Sequence, residues 1–329
     1  MQNSVKGLDI VTLADKVIDG HFVSREEALF LYQQDIKDLS SQANRIREYF
    51  CKDQFDMCTI INGKSGLCSE DCRFCAQSSH YNTGSKVYSL LSEEEILKDA
   101  KKNELQGVLR YSIVTAGRSL SDKEVDRMCN IIRKIKEECN ISVCISFGLL
   151  KEEQFKRLKE AGAQRVHNNL ETSKNFFSRV CTTHTFDDKL ESIRAAKAVG
   201  LEVCSGGIMG LGESVEDRID MALSLRDLGI DSIPVNMLNP IPGTPLENYN
   251  SVTCSEMQRI VSVYRFILPK AFIRLAGGRG LMSDKGKACF MSGANAAISG
   301  DMLTTAGITV EKDKELLESL NYKIATVNY

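Results

Sequence analysis

The chain has 329 residues, 43% of them hydrophobic and 26% charged, with 12 Cys, 5 Pro and no Trp. Low proline and ordinary charge exclude a disordered or collagenous polymer, and 42 Lys+Arg against 44 Asp+Glu, a net charge of -2, provide no basic field for nucleic acid or an anionic membrane surface. No run of about 18 apolar residues could span a bilayer, and no basic stretch followed by an apolar one marks a secretion signal, so the sequence reads as cytoplasmic.

In chain order, the first fifty residues read as amphipathic helices over 8–20, 26–34 and 36–50, the second opened by the capping-box pattern Ser24-Arg-Glu-Glu27. From Met57 onward, β-rich runs at 57–62, 108–115, 141–147, 164–170, 201–208, 232–238, 271–277 and around 294–300 alternate with charged helical segments at 92–105, 121–138, 152–162, 186–200, 215–229 and 254–267. Regular βα alternation implies a parallel sheet with right-handed crossovers. Eight units predict an α/β fold, a closed (β/α)8 TIM-type barrel, preferred over a doubly wound open sheet. The expected organisation is an N-terminal helical extension (1–50), the barrel (51–310) and a C-terminal helix and tail (311–329).

Strand alternation sorts the side chains further, because residues two apart share a face. In 141–147 the apolar residues Ile141, Val143, Ile145 and Phe147 occupy one face, and Ser142, Cys144 and Ser146 the other. The same reading turns Arg110 and Ser112 inward, together with His167, Asn169 and Glu171, and then Cys204, Asn236 and Arg274. A lumen that only packed would be filled with Val, Ile and Leu, and unpaired buried polar groups are costly. A lumen holding polar ligands is the economical explanation.

In a reducing compartment, twelve cysteines point to metal or redox chemistry rather than disulfides. About half of them are expected to be inert packing residues, among them Cys51, Cys58, Cys129, Cys139, Cys254 and Cys289. The informative set is Cys68, Cys72 and Cys75, spaced C-x3-C-x2-C on the loop after the first strand. Structural zinc normally takes four protein ligands, and His80 is the nearest residue that could complete a tetrahedron. Iron–sulfur clusters also use thiolates, and three would leave one iron open. Phe74 would sit beside such a cluster and exclude solvent. The run Gly206–Glu213 does not fit the order of a dinucleotide fingerprint, and Asn239-Pro-Ile-Pro-Gly-Thr-Pro makes a stiff loop at the barrel mouth.

The cysteine motif resembles that of the radical S-adenosylmethionine superfamily. Further stretches at 68–84 (CSEDCRFCAQSSHYNTG), 167–173 (HNNLETS), 203–213 (VCSGGIMGLGE), 235–246 (VNMLNPIPGTPL) and 273–279 (IRLAGGR) are similar to the biotin synthase family within it. The resemblance implies a sulfur-inserting transferase that converts dethiobiotin to biotin through two hydrogen abstractions. It implies that Cys68, Cys72 and Cys75 hold a 4Fe-4S cluster that binds and reductively cleaves S-adenosylmethionine. Asn169 and Glu171 would bind the adenosyl ribose, with Glu where the family has Asp. Asn236 and His167 would contact substrate. An auxiliary Fe-S cluster (2Fe-2S or a variant), the sulfur donor, would be held by Cys144, Cys204 and Arg274. The family's remaining Cys aligns with Ser112, a harder and poorer ligand for iron, so Ser112 ligates weakly, another Cys such as Cys181 substitutes, or the cluster is of another type. The implied partners are a flavodoxin or ferredoxin electron donor, the Fe-S assembly machinery and a second copy in a homodimer. Competing readings are a related radical enzyme such as a hydrogenase cofactor maturase, which Cys144, Cys204 and Arg274 argue against, and a non-catalytic Fe-S protein, which the intact three-cysteine set argues against.

Overall fold

A computed structural model describes residues 9–325; the first eight residues of the N-terminal extension and the last four of the tail lie outside the described residues. The chain opens on three helices whose starts are set by capping side chains, each worth about 1 kcal/mol. Asp9 accepts from the amides of Val11 and Thr12 ahead of α1 (Ile10–Ile18), the Ser24–Glu27 capping box opens α2 (Arg25–Tyr32), and Asp35 caps α3 (Ile36–Cys51). Helix α3 packs on α1 and on α9 (Cys254–Ile267), and α2 packs on α9 and α8 (Val215–Asp227). Arg259 of α9 ties this layer down by donating to the carbonyls of Tyr32 and Gln34 at 2.9 and 2.6 Å.

Parallel strands β1 (Gln54–Lys64), β2 (Arg110–Thr115), β3 (Ser142–Ser146), β4 (Arg165–His167), β5 (Glu202–Cys204), β6 (Gly207–Met209), β7 (Ser232–Met237), β8 (Phe272–Leu275) and β9 (Ala296–Ser299) follow. β1 pairs with both β2 and β9, which closes the barrel, and β5 and β6 are two halves of its fifth strand. The crossovers are α4 (Glu93–Leu105), α5 (Asp122–Glu138), α6 (Glu152–Glu160), α7 (Phe186–Ala198), α8 and α9; the last, before β9, holds a 3-10 turn at Arg279–Leu281 and the short α10 (Lys287–Phe290). After the barrel come α11 (Val310–Ser319) and β10 (Lys323–Ile324), which pairs with the start of β1. The predicted (β/α)8 architecture is observed. Its apolar strand faces, including Tyr111, Ile113, Val143, Ile145, Ile233 and Ile273, are buried in the layer between sheet and helices.

The break in the fifth strand comes from backbone crowding. A Cβ on Gly206 would lie 1.9 Å from the Pro234 carbonyl, and one on Gly207 2.4 Å from the Glu171 carbonyl. Glycine alone lets β4, β6 and β7 approach this closely. Glu171 itself takes a left-handed φ of 69°, locked by its amide donating to Gly206 O (3.0 Å) and its carbonyl accepting from Ile208 (2.9 Å). A non-glycine residue held there marks a place where structure is spent on positioning a side chain.

Candidate active site

The barrel's floor is an ion-pair cluster. Asp56, from the start of β1, meets Arg274 Nη2 at 3.0 Å, Arg165 Nη1 at 3.4 Å and Arg110 Nε at 3.6 Å, all four side chains nearly inaccessible to solvent. Arg165 also pairs with Glu202 at 2.8 Å. Burial alone would raise the Asp56 carboxyl, but the three guanidiniums hold it well below the usual carboxylate range. Arg274 Nη1 donates to the carbonyls of Asp56 (3.0 Å) and Ala297 (2.9 Å). Three guanidiniums against two carboxylates leave one excess positive charge facing the lumen. Sequence reasoning missed Asp56 and Arg165; an acid inside the apolar run Phe55-Asp-Met-Cys was the available signal.

Above the floor lies a chamber of about 360 Å³, lined by the predicted inward residues Ser112, Cys144, His167, Cys204 and Arg274, and by Cys58. Cys58 is the correction: the sequence reading puts it among the packing cysteines, whereas the structure turns it into the lumen. Cys129, Cys139 and Cys289 do belong to the apolar core. Burial and the neighbouring thiols of Cys204 and Cys58 push the Cys144 thiol up to about 12. Cys204 goes the other way. Burial raises it, but a hydrogen bond from His167 and the charges of His167, Arg274 and Arg165 bring it down to about 6, and Ser232 Oγ donates to its sulfur at 3.2 Å. His167, expected at the substrate, thus reaches the Cys204 thiol. A buried cationic rim favours thiolate, the form that binds metal.

At the mouth, Cys68, Cys72 and Cys75 follow β1 on a loop folded back on itself, with Cys75 N donating to Cys72 O (2.9 Å) and Cys68 N to Gln77 O (3.0 Å). His80 does not join them, its Nε2 lying 3.0 Å from the Ser69 carbonyl. Three free thiols on one loop suit a cluster that keeps one iron open. Two acids inside the motif, which sequence reasoning passed over, anchor the loop. Asp71 accepts from the amides of Thr182 (2.8 Å) and Thr183 (3.2 Å) and from the Cys181 thiol (3.1 Å), while Glu70 Oε2 lies 2.6 Å from His184 Nδ1. Cys181, a candidate for the auxiliary site, therefore lies at the mouth. Among the described residues, Cys72, Cys181 and His184 form the one set of three such ligands within 4.8 Å of one another. Cys181 is absent from the chamber wall that holds Cys144 and Cys204.

Between mouth and lumen stand the remaining predicted residues. Asn169 Oδ1 accepts from Gly206 N (3.1 Å) and its Nδ2 donates to Glu171 Oε2 (3.3 Å). Glu171 is half-buried, and its desolvation raises its carboxyl. Asn236 bridges β6 and the turn after β8, donating to Gly207 O (3.0 Å) and accepting from Gly277 N (2.8 Å). Phe74, Leu238 and Ile241 supply apolar wall, so the cysteine loop and the proline loop both reach the chamber. The glycine run after β6 presents its Gly210 amide to the chain's own Glu213 at 2.9 Å, which fills the position an anion would take.

A closed (β/α)8 barrel with a three-thiol loop after its first strand and further thiols in its lumen has the architecture of the radical S-adenosylmethionine class. The Radical SAM superfamily profile matches residues 64–225 and the Biotin and Thiamin Synthesis associated domain matches residues 234–323. The chain is 59% identical to the biotin synthase of Brachyspira hyodysenteriae over 97% of its own length and 96% of that protein's, and 54% identical to that of Akkermansia muciniphila over 95% and 98%. The chain belongs to the biotin synthase family. Methylornithine synthase (TM-score 0.83, 22% identity, covering 95% of this chain and 97% of that one) shares the fold. So does an FeFe-hydrogenase maturase from Carboxydothermus hydrogenoformans (0.82, 18%, 96% and 79%). Family membership implies a 4Fe-4S cluster and S-adenosylmethionine. Among the described residues, no helix is long and apolar enough to cross a membrane.

Proposed function

We propose that the chain converts dethiobiotin to biotin, with the mouth set Cys68, Cys72 and Cys75 holding the 4Fe-4S cluster and the lumen set, including Cys144 and Cys204, holding an auxiliary sulfur-donating cluster. The observation that carries this reading is that one chamber wall joins Cys75 of the mouth set to the lumen thiols Cys58, Cys144 and Cys204, together with the apolar side chains of Phe74, Leu238 and Ile241. When bound, the mouth cluster supplies one-electron reductive cleavage of S-adenosylmethionine. Asn169 holds the Glu171 carboxylate to accept the ribose hydroxyls, and Asn236 faces the substrate ring. Phe74, Leu238 and Ile241 keep water from a reactive centre. Arg274 and Arg165 balance thiolate charge from the floor, and His167 positions Cys204. Reductant would come from a flavodoxin or ferredoxin, the Fe-S assembly machinery would rebuild the lumen cluster, and the chain would act as a homodimer. Anaerobic reconstitution followed by one turnover with dethiobiotin, S-adenosylmethionine and a strong reductant tests the reading. Biotin accompanied by 5'-deoxyadenosine supports it, and 5'-deoxyadenosine without biotin excludes the substrate assignment.

A further inference from the structure

The auxiliary site lacks a thiol at Ser112, and the structure offers one elsewhere. Alternation along β1 sends Met57 into the outer core and Asp56, Cys58 and Ile60 inward, Asp56 to the floor and the other two to the chamber wall. Cys58 is 6% exposed, and its sulfur makes only a long 3.9 Å contact to the carbonyl of Thr59. In register it sits beside Arg110 on one side and Ile298 on the other, one strand from Ser112. Its charge neighbours are Arg274, Asp56, Cys204 and Arg110, the same floor and the same thiol that define the lumen site.

Ser112 is otherwise engaged. It is the register partner of Cys144 on the adjacent strand, and its hydroxyl hydrogen-bonds the Cys144 thiol. Cys58, Cys144 and Cys204 are not a set with mutual distances within 4.8 Å, unlike Cys72, Cys181 and His184, so among the described residues the lumen thiols are spaced too widely to share a single ion. They enter from β1, β3 and β5, which surrounds a polynuclear centre from three sides.

We propose that Cys58 supplies the third thiolate of the lumen site, alongside Cys144 and Cys204, and that Ser112 serves as a hydrogen-bonding neighbour of the Cys144 sulfur rather than as a ligand. The proposal rests on the reading that the lumen holds an iron–sulfur cluster. On ligation any thiol still protonated gives its proton to solvent, and a soft thiolate replaces the harder hydroxyl.

The test uses the full chain carrying C68A/C72A/C75A, so that any remaining iron reports on the lumen alone. After anaerobic reconstitution, iron and acid-labile sulfide are counted and Mössbauer spectra recorded, with and without a chelator. Adding Cys58→Ser is expected to weaken iron retention against the chelator by about 10–100-fold or more, the scale on which even supporting residues act. Ser112→Ala should keep the iron count, and Cys58→Ser with Ser112→Cys should restore retention. Retention unaffected by Cys58→Ser, or lost in Ser112→Ala, would overturn the proposal. A triple variant that binds no iron would overturn both it and the reading beneath it. A second measurement needs no change at 58: alkylation followed by mass spectrometry should find Cys58 protected in the iron-loaded triple variant and modified after chelation under mild denaturant, and equal modification in both states would overturn the proposal even if Cys58→Ser failed to fold.

Discussion

Replacing Asp56 by Asn keeps the shape of the barrel floor and removes the carboxylate that faces Arg274, Arg165 and Arg110 at 3.0, 3.4 and 3.6 Å. The three guanidiniums then face Glu202 alone, and the excess positive charge rises from one to two. Breaking a buried ion pair by deleting one partner costs about 3–5 kcal/mol. With an unfolding entropy of about 2.1 cal/mol/K per residue, that loss corresponds to a fall of about 4–7 °C in Tm for a chain of this length. Scanning calorimetry of the anaerobic, iron-free protein is the assay. Because the folded-state carboxyl lies below its unfolded value, the Asp56 contribution is fully present above an unfolded pKa of about 3.9 and is lost as pH falls through the lower folded value. The gap between wild type and Asp56→Asn should therefore be full at pH 7 and shrink only in acid. An unchanged Tm at pH 7, or a gap that widened below pH 4, would refute the assignment of the floor as a charge cluster held by Asp56.

Three further outcomes follow from the geometry. In the C68A/C72A/C75A background, Cys181→Ala should leave lumen iron and sulfide unchanged, since Cys181 lies with Cys72 and His184 at the mouth; colorimetric iron and sulfide counts decide it. Asp71→Ala removes the acceptor for Thr182, Thr183 and Cys181 and should speed chelator removal of mouth-cluster iron by about 10-fold in a chain carrying Cys144→Ala and Cys204→Ala, followed by visible absorption. Gly206→Ala would put a Cβ 1.9 Å from the Pro234 carbonyl and should cost about 3 kcal/mol or more, seen as a lower Tm or loss of folded yield.

The fold was legible because each strand advertises itself by β-rich composition and each helix by charge and period, so the eight-unit alternation could be counted. The lumen was legible where one face of a strand is polar, as in Ser142-Val-Cys-Ile-Ser146. It was not legible in β1, where Met57, Cys58, Thr59 and Ile60 carry no clean alternation and Cys58 passes for a small apolar residue. Position after the fourth strand puts the Cys181 loop at the barrel mouth, but a loop residue has no facing direction in sequence, and it is Asp71 and Glu70 that draw this loop against Cys72 rather than toward Cys144 and Cys204. The Asp56 cluster joins strands 109 and 218 residues apart in sequence, a pairing no local pattern encodes.

We propose that one barrel holds a radical-generating site at its mouth and a sulfur-donating site in its lumen. Reconstituting the anaerobic chain with ³⁴S-sulfide, running a single turnover with dethiobiotin and S-adenosylmethionine in unlabelled buffer, and weighing the biotin tests it most directly. The wild type should yield ³⁴S-biotin and Cys204→Ala none, with 5'-deoxyadenosine still formed by the variant. Unlabelled biotin, or labelled biotin undiminished by Cys204→Ala, would contradict it.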